Sequence, residues 1–159
     1  MNLSRQLALA VVLSLAALWA AAADAKDITI GQIVIHHPWL KLAPGNSGFG
    51  AAYAKIENTG TTDDTLLKVT VQGAPTVQIH EMKMEGDVMK MGELKDGLPV
   101  PAGQSAELKP KSSHIMLMGI ASPFKPGQDV KGTLVFAKAG SVDVDFEVLA
   151  PGADAPKED

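Results

Sequence analysis

The stretch Val142-Asp143-Val144-Asp145-Phe146-Glu147-Val148-Leu149 decides the fold class. Val142, Val144, Phe146 and Val148 alternate with Asp143, Asp145 and Glu147, and a period of two belongs to an extended strand with one face buried and the other in water. Outward from it, the same alternation recurs about every ten residues, over 28–35, 50–57, 66–71, 77–84, 88–91, 105–108, 114–120 and 130–137. Turn signals separate these runs: Pro44-Gly45-Asn46-Ser47-Gly48, Asn58-Thr59-Gly60, Glu85-Gly86-Asp87, Asp96-Gly97, Pro101-Ala102-Gly103, Pro126-Gly127 and Ala139-Gly140. No apolar stripe of helical spacing competes with them. The pattern predicts an all-β chain, an antiparallel β-sandwich with Greek-key connections.

The beginning of the chain reads differently. Arg5 followed by the apolar run Leu7 to Leu18 and the Ala23-Asp24-Ala25 cleavage pattern reads as a secretory signal over residues 1–25. A membrane anchor is the competing reading, but the run is alanine-rich, ends in small residues and lacks a basic stop-transfer flank. With no cysteine anywhere, it also offers no thiol for a lipid. The expected product is an exported, soluble, periplasmic monomer with no membrane insertion after cleavage. It has one domain over 26–150 and a small, acidic, proline-bearing tail over 151–159 expected to be disordered. Removing the signal leaves the net charge at −4, with no basic block, so nucleic acid is not an expected partner.

Chemistry concentrates in two segments. His80, Met82 and Met84 alternate along one predicted strand and His114, Met116 and Met118 along another. Six of the seven methionines lie between positions 82 and 118, the seventh being the initiator. Each segment can present imidazole and thioether on one side. The tight Glu85-Gly86-Asp87 turn predicts a hairpin that folds Met91 back toward His80. Nitrogen and thioether donors suit Cu(I), a soft cation, whereas calcium and magnesium demand oxygen. Methionine is also a common core filler, so each sulfur taken singly also reads as packing. Clustering in one stretch favours the metal reading for His80, Met91, His114 and Met116 together. Met82, Met84, Met89 and Met118 read as packing or as an exposed patch around them.

These residues resemble the periplasmic PCu(A)C copper chaperones. The carriers are His80, ten residues, Met91, then His114-Ile115-Met116, within Ile79-His80-Glu81-Met82, Val88-Met89-Lys90-Met91 and His114-Ile115-Met116-Leu117-Met118-Gly119. Gly50-Ala51-Ala52-Tyr53, Ile56-Glu57-Asn58, Pro101-Ala102-Gly103 and Leu108-Lys109-Pro110 are similar as well, so the likeness covers nearly the whole chain after the signal. Between Met91 and His114 lie 22 residues, one more than the family pattern, and the loop at Lys111-Ser112-Ser113 can take the extra one. The resemblance implies a cupredoxin-like sandwich and a Cu(I) site of His80, Met91, His114 and Met116 near solvent. It also implies copper supply to the binuclear copper centre of cytochrome c oxidase, directly or through a thiol-bearing copper chaperone.

Other candidates are weaker. His36 and His37 form a pair that could bind Cu(II) at a second site, although neighbours on a regular strand point to opposite faces, with one exposed and one packed near Trp39. A blue-copper electron carrier needs a cysteine that this chain lacks. Ser112-Ser113-His114 is adjacency without a nucleophile–base geometry, so no enzymatic role is expected. The alternative function is an exported structural or adhesive sandwich with no metal role.

Overall fold

The computed structural model describes residues 27–45 and 47–156. The signal over 1–25 lies outside them. Eleven strands follow in order: β1 (Ile28–Ile30), β2 (Ile33–Leu42), β3 (Phe49–Asn58), β4 (Asp64–Val71), β5 (Thr76–Glu85), β6 (Val88–Glu93), β7 (Leu98–Val100), β8 (Ser105–Leu108), β9 (His114–Met118), β10 (Asp129–Phe136) and β11 (Gly140–Val148). Among the described residues no segment is helical.

The strands run in the order β6-β5-β9-β3-β2-β11-β10-β4-β7, with β1 on β2 and β8 on β3. The fold is the all-β, cupredoxin-like one expected. Its pairings are antiparallel except one: β11 lies parallel to β2, with Glu147 opposite Trp39 and Val148 opposite Leu40. That contact joins an early strand to the last one, and makes the open sheet mixed.

One hydrophobic cluster gathers side chains from both ends of this order, among them Ile79, Ile115 and Leu117 from β5 and β9 and Leu66, Val100, Leu134 and Phe146 from β4, β7, β10 and β11. The opening stretch behaves as its alternation requires: Val144, Phe146 and Val148 are buried, while Asp145 and Glu147 are only half-buried. Full burial of a side chain of this size stabilises by ~1.5–3 kcal/mol.

The strands depart from the sequence reading at several ends, β2 running on to Leu42 and β6 to Glu93, and at three places the reason is local. The run 28–35 is two strands, because Gly31, at φ +58°, turns the chain so that Ile28 pairs with Ile35. Strand β9 stops at Met118, where Gly119 takes φ +79° and an added Cβ would come within 2.8 Å of Pro75. Strand β7 falls in a proline-rich connection; Pro99 is accommodated because β7 ends the strand order and needs only one neighbour, β4.

Candidate metal centre

Strand β5 supplies His80 and strand β9 supplies His114, and the ladder sets them directly opposite each other. Their ring centroids are 5.7 Å apart and the rings meet edge to face at 72°. Met116 follows two residues after His114 and lies opposite Gln78; on the other flank, β6 sets Glu93 opposite His80 and Met91 opposite Met82. Residues paired across an antiparallel ladder share a face. The two imidazoles and these thioethers therefore project from one side of the sheet. Ile79, Ile115 and Leu117 project from the other, where they are buried in the core.

Each ring is pinned by one nitrogen. His80 Nε2 lies 3.0 Å from Gln78 Oε1, which can only accept, so the proton is assigned to Nε2 and Nδ1 carries a lone pair. That Nδ1 is buried and, among the described residues, is the buried side-chain nitrogen left with no hydrogen-bond partner. Such an orphan costs ~1–3 kcal/mol and calls for an explanation. In His114, Nδ1 donates to Ser112 O at 3.0 Å, which presents the lone pair on Nε2. An imidazole held through one N–H with the other nitrogen free is the arrangement of a metal-ligating histidine.

Burial, reinforced by the repulsion that a second charge beside His114 would meet and opposed by Glu93, holds the His80 imidazole below the usual histidine range. The ring is therefore neutral, and able to coordinate, at physiological pH.

The sulfurs differ in exposure. Met116 is half-buried, whereas Met91 is 54 % exposed on the edge strand β6. Both stand diagonally from His80, on opposite flanks, a relation that places side-chain bases roughly 7–8 Å apart and within reach of long side chains. The structure thus sets His80 and His114 together, with Met116 beside them and Met91 approaching from the rim. Gln78 and the Ser112 carbonyl orient the rings and were not singled out from the sequence. Gln78 could have been found from its position two residues before His80, on the same face of the strand.

His36 and His37 do not alternate as a regular strand would place them. A β-bulge between His36 and Trp39, with His37 at φ +44°, puts both on the wall of one groove. Both nitrogens of His36 are already engaged, Nδ1 with Asp27 at 2.8 Å and Nε2 with Glu57 at 3.1 Å, so Cu(II) would have to displace a carboxylate. Among the described residues no group of three or more histidine, aspartate or glutamate side chains is arranged to hold a metal ion.

Fold and face together define a cupredoxin-like domain of the PCuAC type. The family described as "Putative lipoprotein LpqE-like" matches residues 33–148, and the chain belongs to it. It is 35% identical over 105 residues to the "Putative lipoprotein Lxx21020" of Leifsonia xyli subsp. xyli, covering 66% of this chain and spanning 62% of that protein's length. The copper-bound PCuAC domain from PmoF2 superposes with a TM-score of 0.67 at 28% identity, covering 79% of this chain and 98% of that one. The CuI form of DR1885 from Deinococcus radiodurans gives 0.58 at 25% identity, over 82% and 85% of the two chains. Among the described residues no helix is long and apolar enough to cross a membrane.

Proposed function

We propose that this protein is a periplasmic chaperone that carries Cu(I) as cargo on His80, His114, Met116 and Met91 and is not an enzyme. The observation that carries this reading is the imidazole pair: two rings side by side, each tied down through one nitrogen and each keeping the other for a ligand, with thioethers on both flanks. The copper carried by the similar PCuAC domain and the CuI bound by DR1885 support it. Neutral nitrogen and sulfur donors hold Cu(I) without compensating its charge, so an acceptor with cysteine thiolates takes the metal by stepwise exchange. Met91, exposed at the rim, is the ligand an incoming thiolate replaces first. The acceptor that fits is the copper-bearing subunit of cytochrome c oxidase or a thiol-bearing chaperone upstream of it, and the leader-like start of the chain supports export.

Competition with a colorimetric Cu(I) chelator tests the site. The wild-type chain should retain one Cu(I) against the chelator, and the Met91→Leu, Met116→Leu double variant should release it while its circular dichroism is unchanged. Full Cu(I) retention by the folded double variant would overturn the assignment.

A further inference from the structure

Beyond His80, the β5–β6 hairpin extends past the core with its chemistry inverted. The residues on the core-facing side of β5 change from Val77 and Ile79 to Glu81, Lys83 and Glu85, and ion pairs occupy that side: Lys83 with Glu81 at 2.6 Å, and Lys90 with Glu85. The opposite side carries four methionines as two directly paired rungs, Met82 opposite Met91 and Met84 opposite Met89. A packing role requires burial, yet Met84 is 59 % and Met89 48 % exposed. Three exposed thioethers and the half-buried Met82, held in register on the same face as the imidazole pair, fit a soft cation better than they fit a core.

We propose that this double rung of thioethers is a second Cu(I) site, formed by Met82, Met84 and Met89 with Met91 shared between it and the imidazole pair. Directly opposed positions on an antiparallel ladder bring side-chain bases to roughly 4.5–5.5 Å, close enough for both sulfurs of a rung to reach one ion. Lacking imidazole nitrogens, the hairpin site binds more weakly than the paired histidines. Because Met91 belongs to both, an ion can pass between them by exchanging one sulfur at a time without leaving the protein. The hairpin is then the port through which copper arrives and departs. The inference extends the reading of copper as cargo, and its test separates the two.

Protein carrying 13C-methyl methionine is titrated anaerobically with Cu(I) and followed by NMR and native mass spectrometry. The first equivalent should shift the Met116 methyl, and the second should shift those of Met84 and Met89 and give a doubly loaded species. The Met84→Leu, Met89→Leu variant should keep the first equivalent and lose the second. Met84 and Met89 methyls that stay at their metal-free positions through two equivalents would overturn the second site while leaving the imidazole site standing. So would a variant that takes up as much Cu(I) as the wild type. Shifts at Met84 and Met89 with none at Met116 would uphold the hairpin site and overturn the imidazole one.

Discussion

Two patches on the outward side of the same sheet treat large side chains in opposite ways. On β2 and β3, Trp39 stacks on Tyr53 with centroids 4.4 Å apart, and both are buried although neither belongs to the core cluster. Lys41 Nζ sits 5.8 Å from the Trp39 ring centroid and donates to Ala153 O at 2.8 Å, so residues after β11 are tied down beside the aromatic pair. On β5 and β6 the methionines have no such cover. An outward apolar residue that the chain seals contributes stability, and one that it leaves bare is free to contribute binding.

The comparison can be broken or sharpened in four ways. The largest effect should come from the sealed side: Trp39→Ala should cost ~3–5 kcal/mol in denaturant unfolding, the range for removing a buried aromatic. A cost under ~1 kcal/mol would show that the aromatic pair is as dispensable as the bare patch.

Asp64, buried at the start of β4, is next. Its Oδ1 accepts from the Thr65 amide at 2.8 Å and the Lys138 amide at 2.9 Å, and Oδ2 from the Ala139 amide at 2.9 Å. Burial works to raise its pKa, but those donors and the Lys138 charge prevail and hold the carboxyl below the usual range. The folded state therefore binds the proton less readily than the unfolded chain. Asp64 contributes stability in full above about pH 4, its unfolded value, and loses it as pH falls through the lower folded pKa. Asp64→Asn should cost ~1.5–3 kcal/mol at pH 7 and flatten the acid limb of a stability–pH curve. An acid limb unchanged by the substitution would show that other carboxylates set it.

Gln78→Ala should act on the bare side without unfolding it. Freed from the amide, the His80 ring loses its fixed tautomer, and Cu(I) affinity should fall about 10–100-fold, equivalent to about 1.4–2.8 kcal/mol, with little change in the unfolding midpoint. Equal affinity in a chelator competition would remove Gln78 from the site. The smallest effect belongs to Met84→Leu with Met89→Leu, which should shift unfolding by no more than about 0.5 kcal/mol. A loss above ~2 kcal/mol would mean that these sulfurs are packed after all.

The sequence carried the fold far because nearly every strand shows period-two alternation, as Val144, Phe146 and Val148 do against the core. The exceptions share a cause: local signals that depend on a distant neighbour. Strand β7 was hidden by Pro99, which is tolerated only because of its place at the end of the strand order. The split of 28–35 turned on Gly31, which in isolation fits a strand or a turn. The bulge at His37 shifts the parity of β2, so Ile33, Ile35 and Leu40 all reach the core and Trp39 turns outward; nothing in His36-His37-Pro38 announces it. For the site, spacing proposed the histidines and sulfurs, but it could not show that His80 and His114 are direct ladder partners. That pairing depends on the register of two strands more than thirty residues apart.

The parallel contact between β11 and β2 has a consequence for biogenesis. Trp39 and Glu147 are more than a hundred positions apart, so the pairing of β2 with β11 cannot form until nearly the whole chain has been made. A pairing that waits for the last strand is among the most non-local in the fold, and it slows the folding of the completed chain.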